Sequence, residues 1–82
     1  MKRIETLEDL GTAIREVRET AGLSLTEASE LMGVGRRLLL EIEHGNRNAG
    51  VETVLRIVQL LGMDLFVTRR GGRSPEDGLY LE

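Results

Sequence analysis

Two adjacent arginines, Arg36 and Arg37, are the side chains whose type and spacing most directly indicate a chemistry. A guanidinium can donate two parallel hydrogen bonds to O6 and N7 of a guanine base, or it can hold a phosphate group. Catalytic sets are missing: the sequence has no cysteine, one histidine (His44) and no phosphate-binding loop of glycine and lysine. These residues therefore favour binding over catalysis, and we expect no enzyme activity, cofactor or metal ion.

The net charge of −3 is unevenly distributed along the 82 residues. Residues 1–34 hold four basic and seven acidic side chains, residues 35–73 hold seven arginines and four acids, and residues 74–82 hold three acids. The positive middle is compatible with a local phosphate-binding face, while the acidic ends limit non-specific binding to a polyanion. Because no apolar run could span a membrane and no signal peptide is present, we expect a cytoplasmic protein with no membrane partner.

Apolar residues at helical spacing, separated by capping residues and glycines, predict a mainly all-α fold of four to five short helices. The first helix is expected to begin after Thr6 and to end at Gly22. The others are expected at 25–32, behind a capping box, at 36–43 and at 51–61. Gly11, inside the first helix, is interpreted as a defect that costs about 1 kcal/mol relative to alanine.

A segment rich in strand-forming residues follows the fourth helix; its members are Leu65, Phe66, Val67 and Thr68. A lone strand leaves its backbone groups without partners, and the sequence shows no second convincing strand. The predicted partner is therefore the same strand of a second copy, which makes these four residues the dimerisation segment of a homodimer. The alternative is that Ile4 and its neighbours pair with the segment within one chain.

Two short helices joined by Gly33-Val34-Gly35 describe a helix-turn-helix. The stretches 22–34, 42–48, 52–55 and 60–65 resemble the Cro- and lambda-repressor-like family, with glycines, caps and apolar positions in register. Residues 33–45, and a strand placed directly after the fourth helix, are more narrowly similar to HipB-type antitoxins. The resemblance implies a lambda-repressor-like bundle that binds an inverted repeat of double-stranded DNA as a dimer, and a HipA-type serine/threonine kinase toxin as partner.

In this geometry the side chains near the amino end of the third helix point into the major groove of DNA. The predicted base-contacting residues are Gly35, Arg36, Arg37 and Leu40. Which of the two arginines contacts a base stays open, and Leu40 either contacts a thymine methyl group or covers the neighbouring helix. The predicted phosphate-contacting residues are Ser24, Thr26, Arg47 and Asn48. Ser24 acting only as a helix cap is the alternative at that position.

The family resemblance further implies a buried structural ion pair between Arg18 and Glu43. The resulting hypothesis is a repressor that is also an antitoxin and regulates its own operon. A stand-alone regulator, or an interaction module that has lost operator binding, are the alternatives. Leu25, where the family commonly has glutamine, favours the interaction module.

The predicted domain spans residues 1–69, with the strand at about 64–69. A flexible acidic tail is predicted for residues 70–82, and the alternative is that Tyr80 in this tail is a docking element.

Overall fold

The computed structural model describes residues 2–46, 49–68 and 78–81. Within these residues, four helices and three short strands follow one another in the order β1 Lys2–Ile4, α1 Leu7–Thr20, α2 Leu25–Met32, α3 Arg36–Glu43, α4 Val51–Leu60, β2 Leu65–Thr68 and β3 Gly78–Leu81. The prediction of a mainly helical fold of four to five short helices is confirmed. No helix among the described residues is both long enough and apolar enough to cross a membrane.

Reciprocal capping boxes start the first two helices. The Thr6 hydroxyl accepts a hydrogen bond from the amide of Asp9 at 3.0 Å, and the Asp9 carboxylate accepts one from the amide of Thr6 at 3.2 Å. Ser24 and Glu27 repeat the arrangement at α2, with distances of 3.0 and 2.9 Å. Each box satisfies amides that have no acceptor inside the helix, so both helix starts are specified locally.

The hydrophobic core consists of two adjoining clusters. The first joins residues from all four helices: Ile14, Ala28, Met32, Leu39, Ile42 and Ile57. The second lies under the sheet and contains Ile4, Ala13, Val58 and Met63. Burial of the first cluster holds α2 and α3 against α1 and α4, and therefore fixes which side of α3 faces outward. The Leu25 side chain also packs against this cluster.

At Gly11 the backbones of α1 and α3 approach each other closely. A Cβ atom at this residue would clash with the backbone carbonyl oxygen of Ile42 and would lie 2.5 Å from that of Glu43. The interpretation of Gly11 as a defect in α1 is therefore wrong, because the missing side chain lets the two helix backbones meet. The intrinsic cost of glycine in a helix, about 1 kcal/mol, is offset by this packing.

The strands form one antiparallel sheet in the order β1-β3-β2. Leu65 lies opposite Leu81 in the β2–β3 pair, and Ile4 lies opposite Leu79 in the β1–β3 pair. The prediction of a strand at Leu65–Thr68 is confirmed, but the argument that it has no partner within its own chain is wrong. Ile4 and its neighbours do join the sheet, although they pair with β3 and not with β2.

The flexible tail predicted for residues 70–82 is wrong for Gly78–Leu81, which form the central strand of the sheet. This strand is short and apolar, and the partners that stabilise it come from distant parts of the chain. Periodicity within four residues carries too little information to identify such a strand. Residues 70–77, which make up most of the predicted tail, lie outside the described residues.

We expect Gly11→Ala to destabilise the fold by about 1–3 kcal/mol, because the new methyl group meets the backbone of α3 and not a flexible side chain. For a domain of this size the midpoint of thermal unfolding should fall by about 10 °C. The measurement is a thermal melt followed by circular dichroism. Thr12→Ala is the matched control, since Thr12 is the exposed neighbour of Gly11 on α1. Equal midpoints for the two variants would contradict the close-packing role.

Candidate nucleic-acid interface

The two sides of α3 differ sharply in burial. Leu39, Ile42 and Glu43 are buried against the rest of the bundle. The opposite side carries four residues spaced three or four apart, which we call the outer stripe: Arg37, Leu40, Glu41 and His44. Because a helix turns about 100° per residue, these four side chains lie in one row along the surface. The outer stripe is the side of α3 that faces away from the core.

The two arginines of α3 occupy different places relative to the outer stripe. The Arg37 side chain is 90% exposed and lies within the stripe. Arg36 is also exposed, but it shares its helical row with Leu40 and Glu43 and therefore lies at the border of the buried side. The sequence does not distinguish the two residues, whereas their positions on the helix do.

Leu40 is 37% exposed, and Leu38 is the leucine of α3 that packs against the core beside Leu39. An apolar side chain is therefore available on the outer stripe, where a thymine methyl group could contact it. Gly35 precedes the helix as its N-cap, and no atom lies within 4 Å of the position that its Cβ would take. The amino end of α3 thus has open space around it.

Ser24 makes two hydrogen bonds within the capping box of α2. Its hydroxyl accepts from the amide of Glu27, and its own amide donates to the Glu27 carboxylate. The hydrogen bond that the Ser24 amide donates to the Glu27 carboxylate is the largest cause that lowers the pKa of Glu27. The structure therefore contains the helix cap that was the alternative for Ser24. Thr26 is exposed in the first turn of α2, where helix amides lack internal acceptors.

Arg47 and Asn48, the other two residues predicted to contact phosphate, lie outside the described residues. The preceding Gly45 lies at the end of α3 with φ +72°, a conformation that favours glycine. A Cβ atom there would lie 2.8 Å from the backbone nitrogen of Glu8. The start of the loop is consequently held against the first turn of α1.

An ion pair between Arg18 and Glu43 connects α1 to α3. Arg18 Nε donates to Glu43 Oε2 at 2.6 Å, and Arg18 Nη2 donates to Glu43 Oε1 at 2.9 Å. The third nitrogen, Nη1, donates to the carbonyl oxygen of Leu23 at 2.8 Å. The side chains are only 11% and 1% exposed. The hydrogen bond to Glu43 raises the pKa of Arg18 against the opposing effect of burial.

This arrangement explains the acidic Glu43 on a helix whose opposite side carries arginine. Both carboxylate oxygens accept from one guanidinium, and the third nitrogen of that guanidinium binds the loop between α1 and α2. Three elements are therefore held by one side chain. A buried pair of this kind contributes mainly by fixing geometry, because burying both charges costs most of what their attraction gains.

The sequence matches the model of a helix-turn-helix domain family over residues 9–70. The HTH-type transcriptional regulator y4mF of Sinorhizobium fredii is 35% identical over 72 residues, which cover 88% of this chain and 95% of the relative. The chain therefore belongs to the helix-turn-helix transcriptional regulator family. Its fold is that of the Cro- and lambda-repressor-like regulators.

Solved structures of similar fold agree with this assignment. The restriction-modification controller protein C.AhdI of Aeromonas hydrophila has a TM-score of 0.65 and 30% identity, covering 68% of this chain and 85% of the controller. HipB in a HipA-HipB-O2-O3 complex has a TM-score of 0.66 over 76% of this chain and 87% of HipB. Its 22% identity makes HipB a relative in fold.

Replacing Arg18 by methionine should lower the free energy of unfolding by about 3–5 kcal/mol, because it leaves the Glu43 carboxylate buried and unpaired. Urea denaturation measures the change. Arg15→Met is the matched control, since Arg15 lies on the same helix with a side chain that is 53% exposed. If the control and the Arg18 variant lose the same stability, the pair does not hold α3 in place.

Proposed function

We propose that this protein is a dimeric, sequence-specific repressor that reads double-stranded DNA with the amino-terminal half of α3. One observation carries the proposal: the outer stripe of α3 is solvent-exposed beside an open helix N-terminus, while the other side of the helix is locked into the core. A helix with one fixed side and one exposed side that carries an arginine matches the requirements of major-groove readout. Membership in a family of transcriptional regulators supports the proposal.

We assign base contacts to Gly35, Arg36, Arg37 and Leu40. The two arginines are proposed to contact different groups of the DNA. Arg37, within the outer stripe, is directed at a guanine, which accepts two hydrogen bonds from a guanidinium. Arg36, at the border of the stripe, lies closer to the wall of the groove and is placed to hold a phosphate or an outer base. This division follows from the helical rows on which the two residues lie.

Phosphate contacts are proposed at the start of α2 and after α3. The first-turn amides and the exposed hydroxyl of Thr26 can approach the DNA backbone while Ser24 keeps its capping role. Arg47 and Asn48 follow α3 in the sequence and carry donors suited to phosphate. Such contacts position the protein on the duplex and carry no sequence information.

We also propose dimerisation through β2. The sequence suggested it because β2 had no partner within its own chain, whereas the structure suggests it because β2 lies at an edge of the sheet. In the order β1-β3-β2 the strand β2 has β3 on one side only, so its other edge can pair with a second copy. Phe66 and Val67 are 41% and 76% exposed on this strand. Antiparallel pairing of two copies of β2 would join both sheets and set two recognition helices about one turn of DNA apart.

The proposal also includes a toxin as a protein partner. The HipA-HipB-O2-O3 complex contains a protein of this fold together with HipA. In this chain a strand follows the fourth helix, which is the placement on which the resemblance to HipB-type antitoxins rests. We propose a HipA-type serine/threonine kinase as partner and the cytoplasm as location. A stand-alone regulator is the second candidate, because the relatives at 30–35% identity carry regulator and controller names.

Co-purification separates these two candidates. The chain is expressed from its own locus with the neighbouring reading frames, and the proteins retained with it are identified by mass spectrometry. Retention of a kinase-like protein encoded next to it supports the antitoxin role. A neighbourhood without such a gene, and a chain that elutes alone, would leave the stand-alone regulator.

Removing the arginines of α3 tests the readout. Binding to the DNA upstream of the gene is measured by mobility shift at several salt concentrations. Arg37→Ala should reduce the preference for this DNA over a scrambled duplex by about tenfold or more. Arg36→Ala, if it loses a phosphate contact, should weaken both duplexes alike and lower the salt slope by about one. Arg15→Ala on α1 is the charge-matched control. No sequence preference in the parent protein would exclude the repressor.

Charge on β2 should prevent dimerisation. In an antiparallel pair of two β2 strands, Val67→Glu places two carboxylates on neighbouring chains, where like charges repel. Sedimentation velocity should then report a monomer, whereas the parent chain should sediment as a dimer. Leu31→Glu, on α2, is the control, because Leu31 is 55% exposed and away from the sheet. Loss of the dimer in both variants, or in neither, would place the interface elsewhere.

A further inference from the structure

The carboxylate of Glu41 lies on the surface that is proposed to face DNA, which is a polyanion. The other acid of α3, Glu43, is buried in the pair with Arg18 and points away from this surface. Glu41 belongs to the outer stripe and is 31% exposed. An acid at this place repels phosphate and lowers the affinity for any duplex, so its presence calls for a compensating role.

Glu41 lies one helical turn after Arg37 and is paired with it. Arg37 Nε and Glu41 Oε1 are 3.7 Å apart, with the arginine side chain 90% exposed. In water such a pair is worth little, because the solvent screens both charges. Inside a groove the water is displaced and the effective dielectric constant falls, so the same two charges attract each other more strongly. The pair is therefore positioned to tighten when α3 docks.

If the two side chains draw together in the groove, a carboxylate that accepts from Nε restricts how the guanidinium can turn. The two Nη groups then project as a fixed fork, which matches O6 and N7 of a guanine. The carboxylate itself only accepts hydrogen bonds, so it is repelled by acceptors such as thymine O4 and the phosphate oxygens. A duplex that offers no guanine to Arg37 and presents such an acceptor at this position leaves the Glu41 carboxylate next to oxygens that repel it.

We propose that Glu41 is a specificity-determining residue that positions the Arg37 guanidinium for a guanine and penalises DNA that lacks this base. This inference rests on the proposed function, since it requires α3 to enter the major groove. It assigns to Glu41 a role in rejecting wrong sequences, which is distinct from adding affinity. The DNA class that follows is a half-site with a guanine opposite Arg37.

The chain contains a matched control pair. Arg15 and Glu19 on α1 have the same spacing of four residues, an Nε–Oε2 distance of 3.8 Å and exposures of 53% and 57%. Glu19→Gln therefore removes the same charge from the same kind of helical pair, away from α3. Any effect of Glu41→Gln that Glu19→Gln shares comes from net charge or from helix stability. Any effect that it does not share comes from the position of Glu41 on the outer stripe.

The experiment uses the full chain and a library of random duplexes of about 25 base pairs, from which the parent protein selects its preferred sequence. Affinities of the parent and of both glutamine variants are then measured for the selected duplex, for a version with the critical guanine replaced, and for a scrambled duplex. Glu41→Gln should bind the scrambled duplex several-fold more tightly, and its discrimination at the guanine should fall about tenfold. Glu19→Gln should stay within about twofold of the parent on all three.

Two further variants separate positioning from a structural effect. In an Arg37→Ala background, adding Glu41→Gln should cause no further loss of discrimination, because the residue that Glu41 positions is gone. Glu41→Asp keeps the charge and shortens the side chain, so discrimination should fall without tighter binding to scrambled DNA. Thermal melts confirm that each variant is folded, and the aspartate variant serves if the glutamine variant is not.

The outcomes distinguish this inference from the function on which it rests. If the parent protein enriches no sequence from the library, both the repressor function and the role of Glu41 are wrong. If the parent enriches a sequence and Glu41→Gln discriminates as well as the parent, only the role of Glu41 is overturned. If both glutamine variants bind scrambled DNA more tightly than the parent, the effect comes from net charge, and the role of Glu41 is likewise overturned.

Discussion

The buried pair of Arg18 and Glu43 is the contact on which the placement of α3 depends. It joins the end of α1 to the end of α3 through two hydrogen bonds and reaches the loop before α2 through a third. Gly11 lies at the same boundary between α1 and α3, where its missing side chain lets the two backbones come close together. Polar attachment and close approach together set the rotation of α3 about its own axis. That rotation determines which residues form its outer stripe.

Local signals in the sequence were sufficient for the helices. Thr6 and Ser24 each act with a carboxylate three residues later, and such boxes specify a helix start without help from the rest of the fold. The outer stripe follows from the same information once the buried side of α3 is known. Arg37 and Leu40 were therefore identified as candidates for contact, although the sequence did not separate Arg37 from Arg36.

Non-local contacts could not be predicted in the same way. Strand β3 has four residues and becomes recognisable only when β1 and β2 lie on either side of it. The packing role of Gly11 is non-local too, because it depends on carbonyl oxygens more than thirty positions away in the chain. Glu41 was overlooked for a different reason: its spacing of four residues from Arg37 is visible in the sequence, but a surface acid resembles a solvated residue until its distance to Arg37 is known. For β3 and Gly11, in contrast, the decisive atoms belong to a distant part of the chain.

The central position of β3 has a consequence for how the protein is made and removed. Because β3 lies between β1 and β2 and follows both in the chain, the helices leave the ribosome before the sheet can close. A nascent chain thus completes its α-helical region first and masks the inner edges of β1 and β2 last. Loss of Gly78–Leu81 by cleavage would reverse this order, because it would uncover two strand edges at once while the contacts among α1 to α4 are kept.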